Sequence, residues 1–200
     1  MSSGISKRFD EGMEMEFFDI CNEQGEPTGK TVSRDEAHRD GFLHRTSHVW
    51  ILREKDGRQQ VLLQKRSMEK DSYPGLYDTS SAGHIPAGEE PLPSALRELE
   101  EELGIRASSK QLAYAGSFRI EYEETFHDRV FHDNEFTHVY VYREPVDIRD
   151  LHFQETEVED ADWFDLEEVW DEIQSRKDRF CVSPQGMKVL MGFLKKNRKY

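Results

Sequence analysis

Residues 83–105 read Gly83-His84-Ile85-Pro86-Ala87-Gly88-Glu89-Glu90-Pro91-Leu92-Pro93-Ser94-Ala95-Leu96-Arg97-Glu98-Leu99-Glu100-Glu101-Glu102-Leu103-Gly104-Ile105. The apolar spacing predicts a helix from Leu92 to Leu103, closed by Gly104 as the first residue past its end. At ~100° per residue, Leu92, Ala95, Leu96, Leu99 and Leu103 form one stripe. Glu98, Glu101 and Glu102 stand at i, i+3 and i+4 and share a neighbouring face. Three carboxylates that close repel one another. A hard divalent cation with oxygen ligands reverses the sign of that effect, and Mg²⁺ also bridges readily to phosphate oxygens. The alternative is a solvated acidic face on an amphipathic helix.

Working outward, the stretch from Ser67 to Glu90 is rich in Gly, Ser and Pro and reads as a loop. Before it, Thr46–Arg53 and Gln60–Gln64 read as a hairpin turned at Lys55-Asp56-Gly57. Residues 33–39 suit one or two helical turns. Met15–Ile20 reads as a strand closed by the turn-rich residues 22–27, and residues 1–13 as a flexible tail. Downstream, Leu112–Tyr122 and Glu135–Tyr142 alternate like strands, with a short one at Ala161–Phe164. Asp165 with Glu168 resembles a capping box for a first closing helix. Ser183-Pro184 opens a second, with Met187, Leu190, Met191 and Leu194 on one face. These elements predict an α/β (α+β) mixed sheet with helices, as one domain over residues 14–200, and disfavour strict βαβ repetition.

Composition narrows the class. The 200 residues carry 41 acidic and 27 basic side chains, a formal charge of −14. Such an anion is a poor partner for nucleic acid or an anionic membrane. Cys21 and Cys181 are too few for a disulfide scaffold or a cysteine zinc cluster. No leader-like apolar region opens the chain, and no apolar run reaches the ~18 residues of a membrane helix. The expectation is a cytoplasmic protein with a small-molecule partner, monomeric or homodimeric.

The quoted stretch meets every defined position of G-x5-E-x7-R-E-U-x-E-E-x-G-U, where U is aliphatic. Chance agreement is on the order of one in a million or less. The pattern resembles the signature of the Nudix hydrolase superfamily, which cleaves diphosphate linkages by water attack on phosphorus with divalent metals. The resemblance implies a mixed β-sheet sandwiched between helices and a Mg²⁺ or Mn²⁺ cofactor. It implies Glu98, Glu101 and Glu102 as metal ligands, helped by the Gly83 carbonyl. It makes Glu101 or Glu102 the catalytic base, and Arg97 the residue that orients the acidic cluster by pairing with a carboxylate such as Glu89.

The flanks resemble the isopentenyl-diphosphate isomerase branch of that superfamily: Arg66–Lys70, Tyr73–His84, Ala37-His38, Leu43-His44, Asn134-Glu135 and Ala161–Phe164. The resemblance implies a second metal centre from His38, His44, His84 and Glu135, with Asp133 a further acidic partner, suited to Mn²⁺ or Zn²⁺. It implies Arg66 and Lys70 as a diphosphate clamp. His48 and His138 are read as facing packing or solvent. The sequence departs from the isomerases in two ways. Ala82 stands where they carry a cysteine, and the acidic box is intact. The reading is therefore a hydrolase of a diphosphate linkage in a nucleoside-diphosphate-type or related substrate. The alternatives are an isomerase-like enzyme or a noncatalytic nucleotide sensor. Tyr73, Tyr77, Phe118, Tyr122 and Phe136 are candidates for stacking on substrate or filling the core. Residues 121–135 are expected to form a loop at the mouth of the site. Glu155, Glu157 and Glu159 are read as an alternative base or a solvated run.

Overall fold

The computed structural model describes residues 15–70, 72–126, 129–175 and 178–197, so the expected tail at 1–13 lies outside the described residues. Phe17–Cys21 (β1) and Pro27–Ser33 (β2) form an antiparallel hairpin followed by Arg34–Asp40 (α1). His44–Lys55 (β3) and Arg58–Arg66 (β4) follow, then the short Tyr77–Asp78 (β5) and Ser81–His84 (β6). Pro91–Leu103 (α2) leads to the long Leu112–Phe126 (β7) and Arg129–Tyr142 (β8). Val158–Asp165 (β9), Leu166–Gln174 (α3) and Pro184–Asn197 (α4) complete the order.

Strands β5-β4-β3-β8-β7 lie side by side, with β6 paired to β3 and β9 to β4. Only the β3–β8 ladder is parallel among these named pairings, so the sheet is mixed. Side chains of β3 alternate between two cores. Val49 and Ile51 pack with Ala95, Leu99 and Leu103 of α2, whereas Trp50 and Leu52 pack with Val169 of α3 and Met187 and Leu190 of α4. Leu99 and Leu103 are fully buried, contributing roughly 1.5–3 kcal/mol each. Helices thus cover both faces of the sheet, as expected. Among the described residues no helix is long and apolar enough to cross a membrane.

Local signals placed most boundaries. Gly104 takes φ 72° and returns its N–H to the Glu100 carbonyl, ending α2 where a side chain would be strained. Asp56 and Gly57 both have positive φ, as a two-residue hairpin turn requires. Ser33 caps α1 in a reciprocal box with Glu36, and Asp165 accepts from the N–H groups of Glu167 and Glu168.

Three expectations need correction. The strand β2 was not anticipated, because its only buried residue is Val32 and its order comes from backbone pairing with β1. The expected loop 67–90 contains β5, only two residues long, and β6, a run of small residues ending in His84, and neither carries an apolar alternation. The expected loop 121–135 is instead the far half of the β7–β8 ladder, paired from Glu121↔Asn134 to Phe126↔Arg129. Its exposed acidic positions hide the strand pattern, and His127 lies outside the described residues.

Candidate functional site

Alternation along β6 sets Gly83 and His84 on opposite faces of the sheet. On the Gly83 face lies α2. A Cβ on residue 83 would fall 2.1 Å from the Glu98 carboxyl carbon, so only glycine permits this approach. Glu102, 5 % exposed, accepts from the Ala82 amide at 3.1 Å and the Gln64 side-chain amide at 3.4 Å. Glu98 is half-buried and Glu101 exposed. Arg97 Nη1 donates to Glu101 Oε2 at 2.9 Å and lies 2.9 Å from Glu98 Oε1. Its expected partner Glu89 is 4.0 Å away, beyond hydrogen-bond reach, and accepts from Ser94 Oγ at 3.0 Å. The arginine therefore ties the acidic cluster together from within.

Burial pushes the Glu102 carboxyl up to about 8, with the Glu98 charge adding to it. Burial raises Glu98 to about 7; Arg97 opposes that shift and Glu101 reinforces it. Buried, crowded carboxyls that resist ionisation are the donor set a divalent cation stabilises, because its charge returns them to the anionic form.

The His84 face is assembled from four elements. His38 comes from α1, His44 from the start of β3, His84 from β6, and Asp133 and Glu135 from β8. One ligand atom from each of His38, His44 and His84 lies within 4.8 Å of the others, as do those of His44, Asp133 and Glu135. His38 Nδ1 contacts the Arg34 carbonyl at 2.9 Å and His44 Nδ1 that of Phe42 at 2.8 Å. A carbonyl only accepts, so each Nδ1 carries the proton and each Nε2 a lone pair. His44 Nε2 and Asp133 Oδ1 are buried with no partner among the described residues. His84 Nε2 lies 3.2 Å from His38 Nε2 and 3.7 Å from Glu135 Oε1.

Burial lowers all three imidazoles, His38 to about 3, and raises the Asp133 carboxyl to about 6 and Glu135 well above its usual range. Neutral imidazoles, carboxylate oxygens and orphaned atoms fit a borderline-soft divalent ion. Sequence reasoning missed the supports. The Phe18 ring stacks on His44 and His84 at 4.9 and 4.6 Å, Phe131 stacks on His38 at 4.4 Å, and Thr46 donates to Glu135 at 3.1 Å. Nothing in their spacing signals this, because all three act between elements apart in sequence.

The candidate clamp has protein partners. Arg66 donates to Asp78 at 3.1 Å and to both the carbonyl and hydroxyl of Ser72 at 3.0 Å. Lys70 pairs with Glu157, and Lys65 with Glu159 at 3.1 Å. Of the candidate aromatics, Tyr77 and Phe118 pack against the α3–α4 core, and Phe136 lies against Gly25. Tyr73 hydrogen-bonds Glu124 and meets Phe126 edge-on at 5.2 Å.

A family model described as the NUDIX domain matches residues 43–184. Nudix hydrolase 3 of Arabidopsis thaliana is 44 % identical over 158 residues, 78 % of this chain, but the aligned part is only 20 % of that longer protein. An isopentenyl-diphosphate Delta-isomerase of Pectobacterium atrosepticum is 35 % identical over 121 residues, 60 % of this chain and 62 % of that protein. Among solved structures, the Deinococcus radiodurans protein DR0079 superposes with a TM-score of 0.64 at 22 % identity, covering 88 % of this chain and 98 % of the other, a likeness of fold.

Proposed function

This chain belongs to the Nudix hydrolase family, and on that premise we propose that it hydrolyses a diphosphate linkage in a small organic substrate, using Mg²⁺ or Mn²⁺. One observation carries the reading: Glu98 and Glu102 are packed against β6 over a glycine that leaves no room for a side chain, with Arg97 joining Glu98 to Glu101. A bound divalent cation would polarise the phosphoryl group and lower the pKa of bound water. Glu98, Glu101, Glu102 and the Gly83 carbonyl would hold it. Arg97 keeps the acidic side chains in register. Glu101 or Glu102 takes the proton from the attacking water. The P–O bond to the bridging oxygen breaks, giving a phosphomonoester and either phosphate or a second monoester.

The histidine centre is a second, softer cation site. Arg66 and Lys70 would exchange their carboxylate partners for the diphosphate. Residues 14–200 act as one unit. Isomerisation is the lesser reading, because Ala82 offers no ionisable group for moving a proton on carbon.

The test is a screen with Mg²⁺, Mn²⁺ or chelator against nucleoside di- and triphosphates, dinucleoside polyphosphates, sugar nucleotides and prenyl diphosphates, read by mass spectrometry. Metal-dependent monophosphate or phosphate release supports the proposal. An allylic product, or saturable binding without turnover, overturns it.

A further inference from the structure

The buried ion pair between Asp19 and Arg45 belongs to neither centre, and neither residue lies in the 83–105 stretch that carries the acidic helix. Asp19 stands on β1 next to Phe18, and Arg45 on β3 next to His44. Alternation along β3 puts His44 on one face and Arg45 on the other, the α2 side. Arg45 Nη2 donates to Asp19 Oδ2 at 3.0 Å, and the two side chains keep only 5 % and 12 % of their surface. The same Asp19 oxygen accepts from the Gly88 amide at 2.8 Å, and the same Arg45 nitrogen donates to the Glu89 carbonyl at 2.9 Å. One ion pair thus grips two consecutive residues of the backbone that leads from Gly83 into the acidic helix.

The gripped residues close a turn. The Glu89 amide donates to the Pro86 carbonyl at 3.0 Å, and Gly88 takes φ 80°, as the third residue of a type II turn requires. The turn's own hydrogen bond does not use the Gly88 amide or the Glu89 carbonyl, and these are the groups that the ion pair takes up. On one side of the turn, the Ile85 amide donates to the Arg45 carbonyl at 3.0 Å and the Ala87 amide to the Phe17 carbonyl at 2.8 Å. On the other, α2 opens at Glu90 with no side-chain cap, and the Glu89 carboxylate reaches forward to Ser94 Oγ at 3.0 Å. The start of the acidic helix is therefore fixed from the turn rather than by a capping residue of its own.

Stability alone is a poor account of the pair. Burying two opposite charges costs about as much as their attraction returns, and Arg45 Nε is sealed with no partner among the described residues. What the pair secures is position. Glu98 lies so close to β6 that a Cβ on residue 83 would come within 2.1 Å of its carboxyl carbon. A small displacement of α2 against β6 would therefore carry Glu98, Glu101 and Glu102 out of place together, and a metal site needs its ligands held to within ~0.5 Å.

We propose that Asp19 and Arg45 are positioning residues for the metal site of the acidic face, holding the 86–89 turn so that Glu98, Glu101 and Glu102 converge on one divalent cation. The role rests on the reading of that face as a Mg²⁺ site. Through it the N-terminal hairpin becomes part of the apparatus that binds the cation, acting on the backbone of the turn rather than on the cation.

The test titrates Mg²⁺ alone into the metal-free full chain by calorimetry, with thermal unfolding in parallel. The double variant Asp19→Leu/Arg45→Met removes both grips and leaves no buried charge uncompensated. It should bind Mg²⁺ roughly ten-fold or more weakly than wild type. Asp19→Asn, which keeps an oxygen but not the charge towards the Gly88 amide, should bind with intermediate affinity, and it carries the test alone should the double variant not fold. Val169→Ala, which truncates a buried side chain against the α4 side of the sheet, is the control for destabilisation. It should lower the melting temperature and leave Mg²⁺ affinity unchanged. Unchanged affinity in the Asp19 and Arg45 variants would overturn the proposal. So would an equal loss in Val169→Ala, or a wild type that takes up no Mg²⁺. Turnover is read separately, in the diphosphate screen. A grip that governs Mg²⁺ affinity in a protein cleaving no anhydride sinks the hydrolase reading alone, and an active hydrolase indifferent to these substitutions sinks this one alone.

Discussion

The Gly83 and His84 faces of β6 gather charge in opposite ways. The acidic face is local: one helix brings Glu98, Glu101 and Glu102 together within five residues, and helical geometry alone does most of the work. The histidine face is long-range: five ligand-type side chains arrive from α1, β3, β6 and β8, with nearly one hundred residues between His38 and Glu135. Both resist their charged forms in the absence of a cation, but the burial differs in kind. Glu101 still reaches solvent, whereas His44 and Asp133 are sealed and leave polar atoms unpaired. An open, all-oxygen face suits an ion that keeps waters and meets a phosphate; a closed nitrogen–oxygen pocket suits one that stays.

The strongest way to break this comparison is Glu102→Gln. Turnover of the screened substrate should fall roughly 10²–10⁴-fold with the melting temperature retained, read by phosphate release and thermal unfolding. Near-normal turnover would move the chemistry off this face. Next, His44→Ala should lower the bound Mn²⁺ or Zn²⁺ by one ion per chain in metal analysis after dialysis, leaving Mg²⁺ binding at the acidic face in place. Loss of both together would show the two faces to be one centre.

A pH titration in chelator separates the raised carboxyls from the lowered imidazoles through opposite signs. Glu98 and Glu102 have raised carboxyls, so the folded state holds protons the unfolded chain has released. Stability should therefore fall as pH rises from about 4.5 towards about 8. The imidazoles are lowered, His38 to about 3, so the unfolded chain binds protons that the folded state refuses. Their contribution should be complete above about 6.5 and lost as pH falls towards about 3. Asp133 and Glu135 of the histidine face are raised as well and add to the first trend, so Glu102→Gln should lessen it without abolishing it and leave the second, by melting temperature across pH. The smallest effect is expected for Arg106→Ala, which breaks an exposed 2.7 Å pair with Glu100 on the acidic helix. It should cost ~0–1 kcal/mol and leave turnover unchanged.

Legibility followed the same divide. The helix α2, its Gly104 stop, the Asp56-Gly57 turn and the Ser33 and Asp165 caps are written in neighbouring residues, because each depends on backbone groups within a turn. The strand β2 and the short strands β5 and β6 escaped, since backbone pairing with β1, β4 and β3, not side-chain alternation, holds them in place. Arg97 keeps the expected ion pair with Glu89 only at 4.0 Å, and its closer 2.9 Å pairing with Glu98 and Glu101 was set by rotamers that spacing does not specify.

By itself the sequence determined that a helix would carry three carboxylates beside a glycine and that helices would flank a mixed sheet, for periodicity and turn chemistry act over a few residues. Only the tertiary structure decided that Gly83 must yield its side-chain space to Glu98 and that Phe18 must floor two imidazoles. It alone decided that His48 would pair in register with Ala82 of β6. Those outcomes depend on which strands meet and in what register, and register is fixed by the packing of the whole sheet.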